Sequence, residues 1–308
     1  MFKRSSHFAA MLASAALMAC GSTPAPAEIP VKTDLVMGFV PSQTSSTVQT
    51  NAEPLAAYIA KETGYKVTAR VLTSYAALTE AMTSDTVDIG WFGPTDYLVA
   101  HKQNGAEAMT KSVRNGKPTY NAFIIANKAS GITKLADLKG KKFAFGDPLS
   151  TSSNLFPRFL MKKNGINPDK DVTSVNISNQ SQIAINVCQG VVDAGSIYDD
   201  ARKNKGVDTS CPGVMDKTVI IATSDPIPGD PQAVRHDMSP AQKAKIRDAF
   251  VKLGTDTDPA VKASLKGLYT IDSLVPATDA DYLGLLDIIK TAKPELLSVV
   301  TSSPSPSK

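Results

Sequence analysis

Histidine, cysteine and tryptophan are scarce in this 308-residue chain, which has three, three and one of them. The histidines are His7, His101 and His236, and none sits in a metal-ligand pattern with a cysteine or a second histidine. There is no Gly-x-Ser-x-Gly elbow and no Walker-type glycine loop. A hydrolase would need a base that the sequence does not offer, so neither an enzymatic role nor a cofactor is expected. A dominant charge is missing too. Lysine and arginine total 33 against 29 acidic residues, a formal charge of +4 that falls to +2 without Lys3 and Arg4. No basic cluster with interleaved aromatics occurs, which removes nucleic acid as a partner. No apolar run is long enough to span a bilayer.

What is present begins with an export signal. Lys3 and Arg4 precede an apolar run from Phe8 to Ala19, which closes on Leu17-Met18-Ala19-Cys20. Residues 1–19 read as a signal peptide. Leu-Met-Ala-Cys resembles a bacterial lipoprotein box, in which cleavage leaves Cys20 as a lipid-modified N-terminus. A plain exported protein with an incidental cysteine is the other reading. Residues 20–33, with Pro24, Pro26 and Pro30, read as a flexible tether. The expected location is extracytoplasmic, with a lipid anchor at Cys20. In an exported chain, Cys188 and Cys211 are expected to form a disulfide, contributing about 3 kcal/mol. Residues 301–308, Thr-Ser-Ser-Pro-Ser-Pro-Ser-Lys, are expected to be disordered.

The body of the chain repeats one unit. Leu35–Val40 is an apolar strand, and a helix is expected over Glu53–Glu62 with Pro54 in its first turn. Strand, helix and strand follow over Lys66–Leu72, Tyr75–Met82 and Val87–Phe92. The order recurs as a strand over Lys142–Phe145, a helix from Ser150 to Gly165 bent or delayed at Pro157, then Val172–Ile177, Gln180–Gln189 and Val192–Tyr198. Two matching βαβαβ units predict two α/β lobes with parallel sheets flanked by helices. Tyr120–Ala126 and Val219–Thr223 read as crossover strands. The expected lobes are 34–122 plus 226–300, with the C-terminal helices packed on it, and 123–225. Two lobes joined by two crossovers describe a hinged ligand trap.

Where the second unit's first strand ends, Asp147-Pro-Leu-Ser150-Thr151-Ser152-Ser153 precedes a helix. The first N–H groups of a helix have no internal partner and carry the positive end of its dipole. With hydroxyl donors added, such a turn suits a small tetrahedral anion. The same residues suit ordinary N-capping. Thr95, after Gly93-Pro94, and Ser42–Ser46 lie at strand carboxyl ends in the first lobe, where open α/β sheets place ligands.

Trp91-Phe92-Gly93-Pro94, Leu138–Pro148, Ser150-Thr-Ser152, Val192–Asp200 and Ile227-Pro-Gly-Asp-Pro231 together resemble the periplasmic phosphonate-binding (PhnD-like) proteins of ABC transporters. The resemblance runs from residue 34 to about 290 and is weak in the C-terminal helices. It implies a type II periplasmic-binding-protein fold, with the ligand cleft between two lobes. The implied function is capture of a small phosphorus oxyanion (phosphonate, phosphite or phosphate) by a monomer that delivers it to a permease and its ATPase. It also implies that Ser150, Thr151 and Ser152 hold the oxyanion and that Tyr75 donates to it.

The chain departs from the pattern twice. Phe92 stands where many relatives have tyrosine, and so can only wall the pocket. Gln180, in Ser178-Asn-Gln-Ser181, occupies a segment where many have histidine. Tyr198, Asp199 and Asp200 match a turn whose carboxylate faces the ligand. One aspartate is expected to cap the following turn and the other to meet a protonated oxygen or an ammonium substituent. Asp225 and Asp230 read as loop acids, and neutral donors rather than arginines are expected to bind the anion. The competing readings are a lipoprotein that feeds a membrane sensor and an exported phosphate-ester hydrolase.

Overall fold

The computed structural model describes residues 31–301. The expected signal peptide, Cys20, most of the tether and residues 302–308 lie outside it. Thr301, assigned above to the tail, closes the last helix.

The first half-unit is built as β1 (Asp34–Phe39), α1 (Ser45–Thr63), β2 (Lys66–Val71), α2 (Tyr75–Thr83), β3 (Ile89–Trp91) and α3 (Pro94–Asn104). α1 starts eight residues before the expected Glu53, and Pro54 lies inside it. Thr44 caps the helix by accepting the Thr47 N–H. An interior proline removes one helical hydrogen bond. Burial of Val48, Ala52, Leu55, Ala56 and Ile59 along one stripe offsets that loss, because tertiary packing supplies most helical stability.

β4 (Glu107–Val113) completes this stretch, and the chain then crosses over through β5 (Thr119–Tyr120) and β6 (Ala122–Asn127). The second unit is β7 (Lys142–Phe145), α4 (Phe156–Lys163), β8 (Thr173–Asn176), α5 (Gln180–Cys188) and β9 (Ala194–Tyr198). Short helices α6 (Val207–Ser210) and α7 (Val214–Lys217) lead into β10 (Thr218–Thr223). The chain returns through β11 (Ile227–Pro228) and β12 (Pro231–Val234). It ends with α8 (Pro240–Thr255), α9 (Pro259–Gly267), β13 (Ser273–Pro276), α10 (Leu285–Ala292) and α11 (Leu297–Thr301).

Two main sheets result, ordered β13-β4-β12-β3-β1-β2 and β10-β6-β9-β7-β8. Each has a parallel core, β2-β1-β3 and β8-β7-β9. The sheets are mixed rather than wholly parallel. The strands that carry the chain between lobes, β6 and β12, insert antiparallel beside β9 and β3. A strand returning from the other lobe enters its sheet from the opposite end. Between the sheets the two crossovers pair with each other, Ile227 opposite Tyr120 and Pro228 opposite Thr119. This two-residue ladder ties the two crossovers together.

The second sheet is covered on both faces, as short apolar strands require. Along β7, Phe143 and Phe145 join one apolar cluster with Ile124, while Ala144 joins the other with Ile125 and Ile197. Trp91 is core, stacked on Phe39 at 5.4 Å and meeting the edge of Phe250 at 6.0 Å. Cys188 and Cys211 are joined by a disulfide that ties α5 to the end of α6. α8 and α9 pack on α1, and α10 packs on α4 of the second unit. Lys162 donates from α4 to the Ala292 carbonyl at the end of α10, and Lys293 to the Pro148 carbonyl. No described helix is long and apolar enough to cross a membrane.

Candidate functional site

The turn after β7 shows why the hydroxyl run has its shape. Thr151–Leu155 forms a π-helical turn that continues directly into α4. Pro157 has no N–H, so the carbonyls behind it lose their helical donors. They find others: the Gly146 N–H donates to the Ser153 carbonyl at 2.8 Å, and the Ser196 hydroxyl to the Ser152 carbonyl at 2.9 Å. The bend expected at Pro157 is therefore a widened first turn, fastened to β7 and β9.

Ser150 is the N-cap, accepting the Ser153 N–H at 3.4 Å and the Ser153 hydroxyl at 2.7 Å. Both bonds point into Ser150 Oγ, so its own proton is left to donate elsewhere. None of the described hydrogen bonds uses the N–H of Thr151 or Ser152. The capping and anion-binding readings of this turn are thus compatible.

The turn lines a small enclosed cavity of about 20 Å³ between the lobes, close to the least room that holds one water. Ser150, Thr151, Ser152, Gln180 and Tyr198 line it from the second unit, and Ser42, Tyr75 and Gly93 from the first. The opposing walls are hydrogen-bonded to each other. Thr151 Oγ1 accepts the Thr95 N–H at 2.9 Å and lies 2.9 Å from the Thr95 hydroxyl. That bond satisfies an orphan donor of α3, whose cap Gly93 has no side chain to offer. The Gln180 N–H donates to the Ser42 carbonyl at 2.9 Å, and the Tyr75 N–H to Asp147 at 3.4 Å. The lobes are closed on the cavity.

The donor set follows from partners and burial. Tyr198 Oη accepts from Gln43 at 3.3 Å and from Asn204 at 2.5 Å, which leaves its proton to donate. Gln180 Oε1 accepts the Tyr198 N–H at 2.7 Å and meets the Ser152 hydroxyl at 3.5 Å. Tyr75 is raised well above the ordinary phenol value, by burial first and then by Asp96, Asp147 and Asp230. It stays a protonated donor, next to Ser150.

Several expected residues stand elsewhere. Phe92 does not wall the cavity: its ring folds back over Gly90, where a Cβ would lie 2.0 Å from Phe92 Cε2, and it packs on Tyr97. Thr95 acts through Thr151 rather than lining the cavity. Asp199 and Asp200 are also off the wall. Asp200 caps the short turn after β9 and is held two-pronged by Arg202, at 2.9 and 2.8 Å. A carboxylate engaged by a guanidinium fork is not free to meet a ligand.

The cavity also contains residues that the sequence reading passed over or set aside: Arg114, Tyr120, Asp230 and Tyr269. Arg114 places a guanidinium on the cavity wall, where neutral donors were expected. Its Nε donates to the Tyr269 carbonyl at 2.8 Å, its Nη2 pairs with Asp230, and its guanidinium lies 4.8 Å above the Tyr120 ring. Tyr269 holds that carbonyl in place at a left-handed φ of 57°, anchored by its hydroxyl on the Val40 carbonyl at 2.6 Å. Asp230 lies in the Ile227–Pro231 motif, which was the available signal. Arg114 follows β4 with no local motif to mark it.

One buried carboxylate has no clear partner. Asp96, in the first turn of α3, is 0% exposed, and neither oxygen makes a hydrogen bond of normal geometry. Burial raises it well above the ordinary carboxylate range, against the opposing pull of the nearby Asp96 and Gly93 N–H groups. A raised acid favours folding in its neutral form. Its contribution is complete below the unfolded value near 4 and is lost as pH rises through the folded value. Asp96→Asn should therefore raise the melting temperature at pH 8 more than at pH 4. Calorimetric melting curves across that range check it, and an unchanged pH profile refutes it. No group of three or more potential metal ligands occurs among the described residues.

Comparison with known proteins agrees with this geometry. Residues 37–282 match the family model described as "ABC transporter, phosphonate, periplasmic substrate-binding protein". The phosphonates-binding periplasmic protein of Escherichia coli K12 is 30% identical over 240 residues, 76% of this chain and 70% of that protein. The phosphate-import protein PhnD of Mycolicibacterium smegmatis is 29% identical over 277 residues, 82% and 83% of the two chains. Among solved structures, a binding component of a phosphonate ABC transporter from Pseudomonas aeruginosa superposes with a TM-score of 0.75 at 27% identity. It covers 89% of this chain and 95% of its own. A cleft between two α/β lobes, a hydroxyl-lined helix start and a match over most of the body converge: the chain belongs to the periplasmic substrate-binding proteins of phosphonate ABC transporters.

Proposed function

We propose that this chain captures a small phosphorus oxyanion (phosphonate, phosphite or phosphate) by closing its lobes, and delivers it to a permease driven by an ATPase. The protein works as a monomer, held at the membrane surface by a lipid on Cys20. The observation that carries the reading is the closed cavity under Ser150, Thr151 and Ser152, with spare donors from Ser150, Tyr198, Tyr75 and two backbone N–H groups. Donors without matching acceptors suit a ligand made of acceptors, and a tetrahedral oxyanion is one. The curated relatives, named for phosphonates and for phosphate import, support the same ligand class.

Titration calorimetry of the mature chain with phosphate, phosphite, methylphosphonate and 2-aminoethylphosphonate tests it. Saturable binding of at least one, without turnover, is expected. If none of the four binds, the assignment falls.

A further inference from the structure

An acidic residue in an anion cavity is a problem, because Asp230 would repel the ligand that the other walls invite. Arg114 solves it. The guanidinium is 3% exposed and spends Nη2 on Asp230 and Nε on the Tyr269 carbonyl. Its Nη1 is buried and donates to nothing. A buried unpaired donor on a charged group is costly, and this one belongs to a residue lining the cavity. We infer that Arg114 is an anion-anchoring and selectivity residue: Nη1 donates to a ligand oxygen, while the pairing of Nη2 with Asp230 denies that carboxylate to any ammonium group. The site is therefore built for a small, unsubstituted oxyanion, phosphate or phosphite, and against an aminoalkylphosphonate.

The inference rests on the capture reading above and narrows it. The lining supports the same direction, since Tyr75, Tyr120, Tyr198 and Tyr269 ring the cavity and Asp230 is the one carboxylate among its lining residues. A purely structural role for the pair, fixing the end of β4 to the start of β12 beside the crossover ladder, would change stability but not the ranking of ligands.

The experiment is calorimetric titration of phosphate, phosphite and 2-aminoethylphosphonate into wild type, Arg114→Met and Arg114→Met/Asp230→Asn. The double variant leaves no bare buried charge, so it carries the test if the single one fails to fold. Wild type should bind phosphate or phosphite at least about 30-fold tighter than 2-aminoethylphosphonate. Losing one charge-assisted hydrogen bond should weaken the inorganic anion by roughly 10- to 100-fold in both variants. In Arg114→Met alone the gap to 2-aminoethylphosphonate should close or invert, because Asp230 becomes available to the ammonium.

If the double variant binds phosphate and phosphite within about threefold of wild type, or if 2-aminoethylphosphonate is the tightest ligand of wild type, the inference is overturned while capture stands. If wild type binds none of the three, the capture reading itself is in error and the inference goes with it.

Discussion

Replacing Ser150 by alanine together with Thr151 by valine should lower anion affinity by about one to two orders of magnitude, because the charge-assisted hydrogen bond lost with the Ser150 hydroxyl is worth about 1.5–3 kcal/mol. The two side chains act differently. Ser150 offers its proton to the cavity because both its neighbours donate into its oxygen. Thr151 Oγ1 holds the N-terminus of α3 from across the cleft, so valine weakens lobe closure as well as the anion cradle. Stability should fall as well: losing an N-cap costs about 1 kcal/mol, and the Thr95 N–H is left unsatisfied. A fall of a few degrees should accompany the loss of binding. Calorimetry and a thermal melt on one sample separate the two effects. An affinity within about fivefold of wild type would reduce the hydroxyl run to a cap.

A single methyl group at Gly146 should have nearly as large an effect. A Cβ there would stand 1.7 Å from Ser153 Oγ and 2.6 Å from Ser153 Cβ. The hydroxyl can rotate away, but Cβ cannot move without its backbone. That backbone is fixed by the Gly146 N–H on the Ser153 carbonyl and by Asn154 on the Gly146 carbonyl at 3.0 Å. Overpacking of this kind costs about 3 kcal/mol, or roughly 6–12 °C in melting temperature for a chain of this size. The displaced segment is the π-helical turn that presents Ser150 and Thr151, so affinity should fall as well. Gly146→Ala combined with Ser153→Gly removes the clashing Cβ and should recover most of both losses. If the double variant melts as low as Gly146→Ala, the clash is not the cause.

The sequence by itself determined the elements that depend on local pattern. The βαβαβ repeat was legible from the order of its short apolar runs, Leu35–Val40, Lys66–Leu72 and Val87–Phe92, then Lys142–Phe145, Val172–Ile177 and Val192–Tyr198. The Cys188–Cys211 pairing followed from an exported chain holding two cysteines beyond Cys20. The hydroxyl run marked one wall of the cavity for the same reason, since a helix start after a strand is a local event. The start of α1 was missed because its early residues are polar, and only packing decides whether such a stretch is helical.

The other wall belonged to tertiary structure. Arg114, Tyr120, Asp230 and Tyr269 are scattered over more than 150 residues and meet only because two crossovers bring the chain back between the sheets. Whether an acid is free, capped or paired depends on what lies opposite. Asp200 is held by a neighbour two residues away, yet no local pattern showed that Arg202 would fold back on it. Asp230 looked like a loop acid until Arg114, which is 116 residues distant, stood beside it. Sequence carries the short-range physics of caps, turns and amphipathic spacing. The electrostatics of a cleft are set between segments that share no local signal, and closure of the two lobes brings them together.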